Sequence, residues 1–269
     1  MIVSISSRNI RFIWVGMLVV LLAHAQAQGQ APDGVTITGR AARLHVSGPQ
    51  PLAEALRQLS RAFKWHIGFE EAALRYSGDL IDMTSPKYVP KSKDDRAYFP
   101  RGGPLDIQFS VASETQQPSD PGAVIQALLS EYRARGYPAR YSMSQQGAGG
   151  RDFYIFPDAV ADEGGVLGKA EPVTNTRVSV VIRENEKLAD VLQDVLTQMA
   201  RTSGKRAGLG GIGANQFFGL ASQRLSSTGE AASVFLNDFA SALGATFWQV
   251  LYSPGLKLYI LGFPDLGQP

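Results

Sequence analysis

The chain has no cysteine, which excludes disulfides, thiolate nucleophiles, cysteine-ligated zinc and iron–sulfur clusters. Histidine is almost as scarce, with three in 269 residues: His24, His45 and His66. Beyond residue 27 no apolar run approaches the ~20 residues that cross a bilayer. An excess of one charge is also missing. The 26 Lys and Arg include Arg8 and Arg11, the only charged residues before Gln28, so the remainder stands at 24 against 24 Asp and Glu. A neutral body gives no electrostatic case for nucleic acid, which needs a basic surface.

The N-terminus has what the rest lacks. Arg8 and Arg11 precede an apolar run over 12–22, and Ala23-His24-Ala25 and Ala25-Gln26-Ala27 offer two Ala-x-Ala cleavage sites. This is the layout of a Sec-type signal peptide over 1–27, cut after Ala25 or Ala27. With no lipobox cysteine, the expected location is periplasmic or secreted, with no membrane-spanning segment left after cleavage. Roughly 240 residues without disulfides must then be held by core burial alone.

The body reads twice through one order of elements. Residues 28–42 are expected to be a flexible lead-in. In 43–157, Arg43-Leu44-His45-Val46 is a strand, and Pro51 starts a helix with Leu52, Leu56, Leu59 and Phe63 on one stripe. Residues 65–69 form a strand, the pattern fails across a long loop at 75–104, and 105–111 alternate as a half-buried strand. Asp120-Pro121 caps and opens a second helix, which Gly136 ends. Residues 139–144 and 152–156 close the unit as a hairpin.

Residues 158–176 read as a linker. In 177–264 the order restarts: strand 177–182, a helix capped by Asn185 with Leu188, Val191, Leu192, Val195, Leu196 and Met199 inward, and a glycine-rich segment 204–219. A strand at 220–225 follows, then a capping box Ser227-x-x-Glu230, a helix with Phe235, Leu236, Phe239 and Leu243, and a last hairpin. Residues 265–269 are a tail. The expected fold is α+β: two tandem βαββαββ modules, each with two helices packed on small mixed sheets.

The Pro-Leu-Ala-Glu-Ala-Leu run after Leu44-His45-Val46, followed by a second helix and closing hairpin, resembles the secretin and TonB short N-terminal domain. The second module matches by order more than by residues. The resemblance implies a periplasmic module that contacts other envelope proteins. In that family a barrel or ring-forming segment follows; none is expected here, so a gating role is not carried over.

Gly208-Leu209-Gly210-Gly211-Ile212-Gly213 spells GxGxxG, but a helix precedes it where a nucleotide site needs a strand, so a flexible loop is expected. His45 and His66 lack a metal-ligand motif; Glu70-Glu71, as adjacent strand residues, face opposite ways, and Asp94-Asp95, a charge pair in a loop, reads as solvated. No catalytic or metal-binding residue is assigned and no cofactor is expected. Loops beyond about 15 residues are usually functional or disordered. The partner-contact candidates are therefore Tyr88, Arg96, Tyr98, Phe99 and Arg101 in the first loop and Phe217 and Phe218 in the second, with a mobile solvated insertion as the alternative. Non-catalytic contact or assembly with envelope proteins is the expected function. The alternatives are a periplasmic carboxylate-based hydrolase and a small-ligand or glycan binder, which would need exposed Trp65 or Trp248; the apolar strand neighbours of both tryptophans favour the core instead.

Overall fold

A computed structural model describes residues 32–74, 77–85, 96, 98–146, 150–162, 164–181, 188–210 and 226–266. The signal segment, Asn185, the strand expected at 220–225, Asp94, Asp95, Tyr88, Phe217 and Phe218 lie outside the described residues. Among those described the fold is mixed α+β with four helices. The first half holds β1 (Gly34–Thr38), β2 (Ala41–Val46), α1 (Pro51–Phe63), β3 (His66–Glu70), β4 (Leu80–Asp82) and β5 (Tyr98–Pro100). It continues through β6 (Leu105–Ser110), α2 (Pro121–Ala134), β7 (Ala139–Gln146) and β8 (Asp152–Ala161). After β9 (Leu167–Lys169) and a 3-10 turn, Val173–Asn175, come β10 (Arg177–Val181), α3 (Leu188–Ser203), β11 (Arg206–Leu209) and β12 (Ser226–Ala231). Then α4 (Ala232–Ala242), β13 (Phe247–Ser253) and β14 (Leu258–Gly262) end the second half.

The hairpins of both halves join one mixed sheet in the order β11-β14-β13-β3-β8-β7, with β9 added along the end of β8. Period-two alternation lets this sheet carry a core on each face. Phe153, Ile155 and Phe247 point to the side of α1, α2 and the β1-β2-β6 sheet. Tyr154, Trp248 and Val250 point to the side of α3, α4 and the β10-β12 pair. On α1, Leu52, Leu56, Leu59 and Phe63 are at most 3 % exposed, each contributing on the order of 1.5–3 kcal/mol on burial. Asp120 caps α2 as its sequence requires, its carboxylate accepting from Ala123 N–H at 2.9 Å ahead of Pro121.

The pairings of the first half recur in the second. β2 is antiparallel to β6, as β10 is to β12. β3 is parallel to β8, as β11 is to β14. β7 is antiparallel to β8, as β13 is to β14. The halves meet where β13 runs parallel to β3, Trp248 opposite Gly68. There a Cβ on Gly68 would lie 2.3 Å from the Trp248 ring, so only glycine fits.

Several local expectations give way. Gly34–Thr38, inside the expected lead-in, is β1, held by pairing with β2. The Ser227-x-x-Glu230 capping box is overturned: both residues lie in β12 and α4 starts at Ala232 with no side-chain cap. The partner strand β10 claims those backbone groups first. The segment read as a linker runs as the end of β8, β9 and a 3-10 turn whose Val173 and Thr174 are buried. Contacts gather Asp33–Pro269 into one body.

Candidate functional site

Three places collect polar or exposed groups. The first lies in the long loop of the first half, where 80–82 and 98–100 pair as a ribbon. Leu80 pairs with Pro100, Ile81 with Phe99 and Asp82 with Tyr98. Opposed residues share a face. Leu80 and Tyr98 turn toward the first core, which leaves Ile81 and Phe99 facing away. Ile81 is 37 % exposed and Met83 48 %. Arg101 fixes the base: its N–H donates to Asp79 O at 2.7 Å and its guanidinium to Gly78 O at 3.0 Å. The adjoining Gly102 backs onto the 48–49 backbone so closely that a Cβ would lie 2.4 Å from Gly48 O. Arg96 pairs with Asp82 at 2.7 Å. Hydrogen bonds from Thr84, then from Arg96, hold the Asp82 carboxyl below its usual range. Of the sequence candidates, Arg96, Tyr98, Phe99 and Arg101 thus come together on one ribbon, and Arg101 braces it rather than presenting a free cation.

The second place is a pair of buried carboxyls at the end of β3. Glu70 and Glu71 point to opposite faces as strand alternation requires, but neither is solvated: both are buried. Glu70 accepts from Val173 N–H at 2.7 Å, Thr174 N–H at 3.0 Å, the Thr174 hydroxyl at 2.6 Å and the Tyr154 hydroxyl at 3.2 Å. Burial pushes its pKa up against the pull of those donors. Glu71 accepts from Gln50 Nε2 and Tyr252 N–H, both at 3.1 Å. With only two neutral donors, burial pushes its pKa up to about 8. One carboxyl therefore bolts β3 to the 3-10 turn, and the next ties it to β13 of the second half. All six donors are internal, so both groups are occupied with holding the fold. No sequence signal near 70–71 marks this, because the partners come from far along the chain.

The third place lies beyond the carboxyl ends of β3, β8 and β13, which run parallel. A cavity of about 510 Å³ is lined there by Lys205, Arg206, Lys257, Tyr252, Pro254 and Tyr259. Lys205 and Tyr259 also line a neighbouring cavity of about 490 Å³, with Ala73, Pro157, Val160 and Lys169. The Lys205 ammonium sits 5.3 Å from the Tyr259 ring centroid and donates to Glu171 O at 3.3 Å. Among the described residues none of Lys205, Arg206 and Lys257 is in an ion pair with a carboxylate.

The remaining candidates are structural. His45 lies 3.2 Å from Asp106, and His66 2.9 Å from Asp152. Trp65 and Trp248 are at most 1 % exposed, which overturns their use as groove-lining aromatics. Gly208 and Leu209 of the GxGxxG run lie in β11, and Gly210 N–H donates to Leu261 O at 2.9 Å. The first glycines thus extend an edge strand instead of turning into a helix. Gly211, Ile212 and Gly213 are outside the described residues. The chain matches no protein-family model, and neither a curated protein nor a solved structure is significantly similar to it.

Proposed function

We propose that this chain is an exported, non-catalytic contact protein of the bacterial cell envelope, built from two tandem βαββαββ units resembling the secretin and TonB short N-terminal domain. Export rests on Arg8, Arg11, the apolar run and the Ala-x-Ala sites. The duplication is supported by the three strand pairings that recur between the halves. The observation that carries the contact function is the ribbon, whose Ile81, Phe99 and Met83 form an apolar edge on a base braced by Arg101. Apolar groups exposed on a rigid support are the usual core of an interface. A photo-crosslinker at Met83 in the native periplasm is expected to capture a discrete partner, and one at the exposed Arg201 on α3 is not. Equal products from both positions, or none from Met83, would sink the proposal.

One observation favours a second reading, a small-ligand binder. The 510 Å³ cavity gathers three cations that have no carboxylate partner among the described residues, beside Tyr252. Such a site suits the oxyanion group of a small organic molecule. Calorimetric titration with phenyl phosphate tests it: saturable heat that Lys205→Ala abolishes supports it, and a response that merely follows ionic strength removes it.

A further inference from the structure

We infer that copies of this chain associate head to tail, β7 of one copy pairing in parallel with β11 of the next. The inference rests on the contact reading above and deepens it by naming a second copy of the chain as a partner.

Taking β3 as up, β8 and β13 are also up, while β7, β14 and β11 are down. From left to right the sheet reads β11, β14, β13 and then β3, β8, β7. Each triplet is therefore the strand after the first helix of its half, then the closing strand, then the strand that starts the hairpin. The second triplet is the first with every direction reversed. Its helices also lie on the other face, since α1 and α2 cover one core and α3 and α4 the other. A half-turn about an axis along the sheet, with a shift of three strands, carries one half onto the other. Such an operation does not close.

The contact between the halves, β13 against β3, is one step of this operation. The two ends of the sheet are the same two surfaces left without a neighbour. β7 is the counterpart of β13, and β11 the counterpart of β3. Among the described residues neither has a second strand beside it. Another step places β11 of a second copy against β7, both running down, as the parallel β13–β3 contact requires. The interface is heterologous, so each added copy exposes the same end again.

The register follows from the pairings. Met143 faces Ile155 and Val250 faces Leu261 in the two hairpins, while Phe153 and Tyr259 face Ile67 and Ala207. Ser142 therefore stands where Gln249 stands, and Leu209 where Phe69 stands. Because Gln249 faces Phe69 across the internal contact, Ser142 of one copy faces Leu209 of the next. In this register Arg140 meets Ala207 and Arg206 meets Ala139, so the only two charges on these strands do not oppose each other. Exposed edges are normally blunted by inward charges, lysine or proline. β7 runs eight residues with Arg140 as its single charge and no proline.

The absence of cysteine makes the test clean. The variants Ser142→Cys and Leu209→Cys are purified separately, mixed, and exposed to a mild chemical oxidant. A mixed disulfide dimer is expected well above the yield from Ser142→Cys mixed with Ser130→Cys, whose cysteine sits on the exposed side of α2. The double variant Ser142→Cys/Leu209→Cys is expected to give a ladder of multimers. Sedimentation of the unmodified chain is expected to show mass rising with concentration. Dimer yield no higher than the control, or a chain monomeric at every concentration, overturns the inference. Met83 crosslinking to a foreign partner would then still stand, so loss of self-association and loss of the contact function are told apart.

Discussion

Strands β3 and β11 hold the same place in the two halves, and almost nothing about their surroundings is alike. Each follows the first helix of its half, pairs in parallel with the closing strand, and carries a glycine at the matching position, Gly68 or Gly208. β3 lies between β13 and β8, with Ile67 and Phe69 at most 1 % exposed. β11 lies at the edge, with Leu209 36 % exposed. Gly68 has no room for a methyl group, whereas a Cβ on Gly208 would meet only Leu258, at 3.8 Å. β3 runs on into two carboxyls that hold other elements; Gly210 stands at the matching place after β11. Position in the sheet, more than local sequence, decides whether a glycine is a steric necessity and whether a strand end must be bolted down.

The largest expected effect lies at Glu71, for which β11 has no counterpart among the described residues. Below pH 4.5 the folded and unfolded chains both hold its proton; between 4.5 and about 8 only the folded chain does; above that neither does. Stability from this group is therefore complete below 4.5 and is lost as pH rises toward 8, by about 1.4 kcal/mol per pH unit at most. Urea unfolding across that range is expected to show the decline, and Glu71→Gln to flatten it. Glu70→Ala strands the buried Val173 and Thr174 N–H groups and is expected to cost about 3 kcal/mol, read as a lower urea midpoint. Gly68→Ala forces Trp248 aside and should cost about 2 kcal/mol, with a change in tryptophan fluorescence. Gly208→Ala, its counterpart, is expected to stay within about 0.5 kcal/mol. Equal costs at the two glycines would remove the distinction between a central and an edge strand.

The elements with strong local signals were legible in the sequence. The α1 stripe, the Asp120-Pro121 start of α2, the α3 stripe and both hairpins follow from spacing and caps that need no distant partner. The burial of Trp65 and Trp248 also follows, from apolar strand neighbours. What stayed hidden depends on pairing across the chain. The β13–β3 contact joins residues about 180 positions apart, and nothing in His66–Glu70 names its neighbour. Gly34–Thr38 alternates Val35 and Ile37 with threonines, a strand pattern in itself, and only its ladder with β2 depends on distant pairing. The burial of Glu70 and Glu71 is not legible because Thr174 and Tyr252, which hold them, are 104 and 181 residues away. The ribbon residues stand close in sequence, but Arg101 as a brace depends on the carbonyls of 78 and 80.

The half-turn between the halves also makes the molecule bifacial. The layer of α1 and α2 looks out one way and the layer of α3 and α4 the other, with a single sheet as the partition. Each core borrows from the other half through that partition, Phe247 reaching into the first and Tyr154 into the second, so neither layer can loosen without the other feeling it.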